Sequence, residues 1–362
     1  MDQQKPDLQA LVAAAGKKRS PRLAIVIILA SVIGLVIGIL WANQVRNLTR
    51  SSNIKCRDCS AYQHSDSLPD QPPPGVIRLA VGGDSRNDKA QVVPWAFREA
   101  KKWGAKAFFF LGDLELTSAI DKRFLPELGD LGGIPFYPAM GNHEVETFGI
   151  LRLSKSESQE RVKKFKDEFL TAHGVNLAHL PDTVVYSVNL DGGIHFVALD
   201  NVSRKGEGFG PEQLAWLKLD LETASAAKKI ILVGMHKGLA KNPVTTHAMD
   251  EDGPQAVKDS DAALELFNRF KVAMVFVSHS HMYAAYHQDD KDGLPVRLTG
   301  GMGAPLVKGL AEAEGAFHHF LLVDVSPGDS KTPVQVQVVK FPCTPPSCTP
   351  SKSDSDESNE ID

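Results

Sequence analysis

Between residues 76 and 341, apolar runs of strand length alternate with segments of helical periodicity, and that alternation narrows the chain to α/β architectures. "VIRLAVG" (76–82), "AKAFFFLG" (105–112), "IPFYPAMG" (134–141), "KKIILVGM" (228–235) and "KVAMVFV" (271–277) read as strands. "AQVVPWAFREAKKWG" (90–104), "QERVKKFKDEFLTAHG" (159–174), "GPEQLAWLKLDLETASA" (210–226) and "DAALELFNRF" (261–270) read as helices, the first ending at a glycine. "TVVYSVNL" (183–190) and "GIHFVALD" (193–200) predict a hairpin across the turn "DGG". Only strands follow, around 282–288, 294–299, 317–325 and 333–340, so the expected domain is an α/β core ending in antiparallel strands.

Open α/β sheets bind their ligands at the C-terminal ends of strands. Here the first strand runs into "GGDSR", which places Asp84, and the second into "GDLE", which places Asp113. The third runs into "GNHE", with Asn142 and His143. The strand at 228–235 is followed by "HKG", with His236 (itself in "GMH"), and the one at 271–277 by "SHSH", with His279 and His281. On extended backbone, two histidines one residue apart share a face. The set holds two carboxylates, an amide oxygen and several imidazoles but no thiolate, which suits zinc, iron or manganese rather than calcium or a copper thiolate site. There are too many donors for one ion and about enough for two that share a carboxylate. Two adjacent ions clamp a phosphoryl group and generate hydroxide near neutral pH, so the residues point to metal-assisted phosphoester hydrolysis.

In order, "GDSR", "LGD", "GNHE", "GMH" and "SHSH" resemble the motifs of the calcineurin-like metallophosphoesterases, and the branch similar to purple acid phosphatases in particular. "YSVNLDGGIHFVALD", "GPEQLAWLKLDL" and "TGGMGAPL" extend the resemblance, which covers about residues 76–340. It implies a two-sheet αββα sandwich holding two divalent or trivalent ions (Mn, Fe or Zn). It further implies that Asp84 and His281 bind the first metal, that Asp113 bridges, and that Asn142, His236 and His279 complete the second site. His143 would then lie beside the substrate, helping to hold the phosphate and protonate the leaving oxygen, while a metal-bound hydroxide attacks in line. The substrate class implied is a phosphorylated molecule, first a phosphomonoester. A diester or pyrophosphate, or a non-catalytic envelope binding module on the same fold, are the alternatives.

The chain departs from that family's pattern at three positions. Arg86 stands where many relatives have a histidine, and Leu116 where the purple enzymes have a tyrosine. The first site is thus expected to hold its metal more weakly and to lack tyrosinate-to-iron charge transfer. Arg86 offers a forked guanidinium to a phosphate, with a structural salt bridge as the other reading. The third departure is Ser278, where glycine usually precedes the histidine pair; the change is mild unless the backbone there needs positive φ. Lys237 is expected to be solvated, His195 to be a hydrogen-bonded sheet residue, and "GGMG" (300–303) to form a tight turn near the site. His318 and His319 fall on opposite faces of a strand, and His173, His179, His247 and His287 have no partner pattern.

Outside this domain, "LAIVIILASVIGLVIGILWA" (23–42) is uncharged and about long enough to cross a bilayer as a helix. Lys17, Lys18, Arg19 and Arg22 precede it and Trp41 sits near its end, so residues 1–22 are expected to be a short cytoplasmic tail. A cleaved signal peptide would have a shorter apolar core and a small-residue cleavage site, neither of which is evident. Residues 43–75 read as an extracytoplasmic linker, 76–341 as the catalytic domain and 342–362 as a disordered acidic tail. Cys56, Cys59, Cys343 and Cys348 flank the domain and suit disulfides outside the cytoplasm, with a four-thiolate zinc site as the alternative. "NLT" (47–49) and "NVS" (201–203) match the glycosylation acceptor pattern. A net charge of −4 without a basic block argues against nucleic-acid binding, and no feature of the sequence fixes an oligomeric state.

Overall fold

Strands whose two faces are both covered by other layers are apolar at every position, and the middle of this molecule is built from such strands. The structure, a computed structural model, describes residues 71–342 apart from 87, 89, 115–124, 146–153, 171–174, 205–207, 241–246, 289–292 and 330. The expected membrane segment, the four cysteines, Asn47, Leu116, His173, most of the linker and nearly all of the tail lie outside the described residues. Among the described residues, no helix is long and apolar enough to cross a membrane.

The elements follow the chain as β1 (Ile77–Gly82), α1 (Val92–Lys102), β2 (Phe108–Phe110), β3 (Phe136–Pro138), α2 (Asn142–Val145), α3 (Lys155–Phe169), β4 (Asn176–Leu177), β5 (Tyr186–Leu190) and β6 (Ile194–Ala198). Then come α4 (Gly210–Ala226), β7 (Ile230–Gly234), α5 (Pro254–Arg269), β8 (Met274–Val277), β9 (Tyr283–Gln288), β10 (Leu294–Thr299), β11 (His319–Val325) and β12 (Val334–Lys340). They form two mixed sheets, in the orders β12-β11-β1-β2-β3 and β4-β5-β6-β7-β8-β10-β9. β1, β2 and β3 run parallel in the first, and β6, β7, β8 and β10 in the second. The predicted hairpin is present as antiparallel β5 and β6, with Gly192 at φ 71° and Gly193 at φ 72° in its turn.

Side-chain alternation assigns the layers. Phe109 stacks on Phe196 of the other sheet with ring centroids 3.6 Å apart, whereas its neighbour Phe108 meets Phe97 of α1 edge-on at 5.0 Å. Phe196 and Ala198 belong to the core between the sheets, while Val197 belongs to a second core that also takes in Leu217 and Leu221 of α4 and Ala263 and Phe267 of α5. The result is helices, sheet, sheet, helices. A buried ion pair spans β1 and β11, where Arg78 donates to both carboxylate oxygens of Asp324 at 2.7 and 2.8 Å.

Several boundaries differ from the sequence reading, and three of them bear on the site or on helix starts. "IPFYPAMG" is a strand only over Phe136–Pro138 and turns into α2 at Asn142. α3 begins four residues earlier than its apolar spacing indicates, because Ser154 and Glu157 form a reciprocal capping box. α5 begins at Pro254 rather than 261, since its first turns bury the polar Asp259 and Ser260, which periodicity of apolar residues does not detect.

Candidate metal centre

Because β1, β2 and β3 are parallel neighbours, Asp84, Asp113 and Asn142 leave the first sheet side by side. β7 and β8 do the same for His236 and His279 in the second sheet. The two sheets meet here through a hydrogen bond from His236 Nδ1 to the Leu111 carbonyl at 2.7 Å. Close approach of the loops is possible only with glycine. A Cβ on Gly141 would lie 2.2 Å from the Asp113 nitrogen, and one on Gly112 would lie 2.5 Å from the Gly141 nitrogen. Asp84, Asp113 and His279 themselves hold φ of 61°, 56° and 71°, a left-handed backbone that costs a non-glycine residue on the order of 1–3 kcal/mol. Ser278 does not share it, so glycine is not required there.

Six of the sequence-predicted residues converge. Ligand atoms of Asp84, Asp113 and His281 lie within 4.8 Å of one another, as do those of Asp113, His236 and His279. Asp113 is common to both groups. His236 Nε2 stands 3.5 Å from Asp113 Oδ1, 3.0 Å from Asn142 Oδ1 and 3.1 Å from His279 Nδ1. His281 Nε2 stands 3.5 Å from Asp84 Oδ1. His281 Nδ1 is bonded to the Pro305 carbonyl at 2.7 Å, so that His236 and His281 each spend Nδ1–H on a backbone oxygen and turn an Nε2 lone pair inward.

Two features say that this cluster fits cations. Among the described residues, Asp84 Oδ1 is buried without a hydrogen-bond partner, although Oδ2 accepts from the His279 N–H at 2.8 Å and from the Ser278 hydroxyl. A buried carboxylate oxygen left so is costly unless a positive charge meets it. Secondly, two imidazole nitrogens 3.1 Å apart have the separation of adjacent ligands on one ion, each about 2.0–2.1 Å from it. The donor set fits two ions around a shared Asp113.

Arg86 and His143 flank this cluster. Arg86 Nη2 lies 3.5 Å from His143 Nδ1, and a guanidinium has no acceptor, so Nδ1 accepts and the proton of the neutral ring is left on Nε2. Nε2 in turn is 3.8 Å from Asp113 Oδ2. Burial, reinforced by the cationic groups around it, holds His143 below the ordinary histidine value despite the opposing pull of Asp113. Burial pushes Asp113 up, but His236, His143, Arg86 and the His143 peptide N–H outweigh it and leave the carboxyl at about 2.

Glu144, which sequence reasoning left without a role, is the buried brace of the site. Its carboxylate accepts from the backbone N–H groups of Asp113 at 2.9 Å, Leu114 at 2.8 Å and Gly141 at 2.7 Å. Burial and the charge of Asp113 nevertheless raise it to about 8. His247 also comes to the site, edge-on to His279 with ring centroids 6.1 Å apart. Its only sequence signal was its place in the loop after a ligand strand.

Lys237 corrects an expectation. It is not solvated: Nζ pairs with both oxygens of Asp252 at 2.9 and 3.0 Å, and its side chain is 11% exposed. Asn201 of the "NVS" triplet is buried and bonded in both directions to the Lys237 backbone at 2.7 and 3.1 Å, which is incompatible with a glycan in the folded chain. His195 bonds to Asn189 and Asp220 at 2.8 Å each, as a sheet residue should. The "GGMG" turn reaches the site through the Met302 N–H on the Gly83 carbonyl and the Ala304 N–H on the Asp84 carbonyl. His318 and His319 bond to Gly301 and Phe317 carbonyls, and neither they nor His179 or His287 enter either donor group.

Known proteins bear on this geometry. Among solved structures, similarity extends to a purple acid phosphatase from yellow lupin (Lupinus luteus) seeds, with 18% identity, a TM-score of 0.52, and coverage of 78% of this chain and 58% of that one. A dimetal phosphatase from Danio rerio follows with 12% identity, a TM-score of 0.44, and coverage of 74% and 99%. The first likeness establishes the fold, and the chain spans about 58% of the lupin protein's length. Among curated proteins no match was found. The profile of the calcineurin-like phosphoesterases, by contrast, matches residues 77–283, a stretch that contains both donor groups. The chain belongs to the calcineurin-like phosphoesterase family.

Proposed function

We propose that this protein is a dinuclear-metal phosphomonoesterase. The observation that carries the reading is the pair of donor groups sharing Asp113, with Arg86 and His143 beside it. Asp84, Asp113 and His281 would hold one ion, and Asp113, Asn142, His236 and His279 the other. Such a pair supplies Lewis acidity toward phosphoryl oxygens and a nucleophile near neutral pH. The chain's own groups do the rest. Arg86 binds and orients a phosphoryl oxygen; a monoester dianion offers one more such oxygen than a diester does. His143, with its proton on Nε2, donates to the leaving oxygen. Burial of the donors keeps bulk water from competing for the substrate.

The test is metal content followed by assay of an aryl phosphate against a bis-aryl phosphate, with manganese, iron and zinc in turn. About two ions per chain and faster monoester cleavage support the reading. Preferred diester cleavage would reassign the substrate, and a chain without metal or turnover would leave a binding module. For the whole chain we propose a single-pass membrane protein, resting on the apolar span at 23–42 and the lysines and arginines before it, with the catalytic domain outside the cytoplasm.

A further inference from the structure

The donor set is unequal. The group around His236 and His279 has four protein ligands once Asn142 is counted, whereas the group around Asp84 and His281 has three. Arg86, a cation, stands where a fourth could have come from within the "GDSR" turn. A site with three protein donors depends heavily on each one being presented correctly. For Asp84 that means one oxygen facing the ion and the other fixed.

The fixing is done by a residue outside the ligand set. The Ser278 hydroxyl donates to Asp84 Oδ2, and the same oxygen accepts the His279 N–H at 2.8 Å. Both donors follow β8 of the second sheet, while Asp84 follows β1 of the first. Ser278 is buried, and its only other acceptor among the described residues, the Thr299 carbonyl, is distant at 3.4 Å. Its seat is shaped for it: a Cβ on Gly83 would come within 2.2 Å of the Ser278 oxygen, so the glycine before Asp84 leaves the space that the hydroxyl fills. With Oδ2 doubly occupied, Oδ1 is the oxygen left without a partner and presented toward His281 Nε2, 3.5 Å away.

We propose that Ser278 is a positioning residue for the weaker metal site: it holds Asp84 as a one-oxygen ligand and so sustains an ion that has only three protein donors. This rests on the dinuclear reading above. Without the hydroxyl, Asp84 keeps one of its two restraints and is free to rotate Oδ1 away from the ion.

The test uses the full-length chain, stripped with chelator and titrated with manganese(II) by calorimetry, with electron paramagnetic resonance to separate isolated from coupled ions. The wild-type chain should take two ions with different dissociation constants. In Ser278→Ala and Ser278→Gly, the weaker constant should rise roughly ten- to a hundredfold, the range of a lost hydrogen bond to a charged group, while the tighter one stays within about twofold. The coupled two-ion signal should then appear only at correspondingly higher manganese. A merely structural serine would instead weaken both sites together or lower the melting temperature of the metal-free chain without touching the weaker constant. Either result overturns the proposal while two bound ions in the wild type leave the dinuclear reading intact. A wild-type chain that binds fewer than two ions overturns both.

Discussion

His143 has no place among the metal donors, yet its two nitrogens face groups of opposite charge, Arg86 on one side and Asp113 on the other. That placement argues for a role in proton donation rather than ligation. His143→Ala is expected to retain both ions by elemental analysis and to lose about a hundredfold in kcat. Unchanged turnover would remove it from the chemistry. The candidate ligands were legible in the sequence because each follows the end of an apolar strand, where side chains of parallel neighbours gather. Glu144, Ser278 and His247 were not, for a common reason: what they touch is set by contacts between loops. Glu144 caps N–H groups of two different strand ends, and Ser278 reaches across from the second sheet to Asp84. Lys237 was misjudged because its partner, Asp252, lies beyond a loop whose path spacing does not predict.

Among the elements, the strands were the most readable, because β1, β2, β7 and β8 are buried on nearly every residue and so appear as unbroken apolar runs. Helix ends were less so. α3 announces its start by "SKSE" and α5 by a proline at its first position, signals of capping rather than of apolar spacing. The turn from β3 into α2 was the hardest, since it is dictated by close packing against the turn after β2. Gly141→Ala tests that turn. Its Cβ would collide with the nitrogen and Oδ1 of Asp113, both 2.2 Å away, and neither backbone can withdraw without moving the shared ligand. The variant should lose metal from both sites and several degrees of melting temperature, checked by elemental analysis and a thermal melt. Retention of two ions with wild-type affinity would show that the loops are not as tightly coupled as the distances say.

On the scale of the whole molecule, β1 is clasped to β11 by the buried Arg78–Asp324 pair, so the first strand and a late strand of the described residues are held in one sheet. The proposed anchor precedes that clasp. The proposed membrane topology predicts that protease added to intact cells releases the catalytic domain, and that high salt alone does not extract the protein from membranes. Protection of the domain in intact cells would overturn the proposed orientation. A final consequence follows from the left-handed backbone at Asp84, Asp113 and His279. The unfavourable torsions are held by hydrogen bonds of the same turns, from the Asp84 N–H to the Gly112 carbonyl, the Asp113 N–H to Glu144 and the His279 N–H to Asp84, so the shape of the cradle is set by the protein's own contacts. Ion capture should therefore need little rearrangement of the backbone, seen as matching far-ultraviolet circular dichroism spectra of the chelator-stripped and metal-loaded protein.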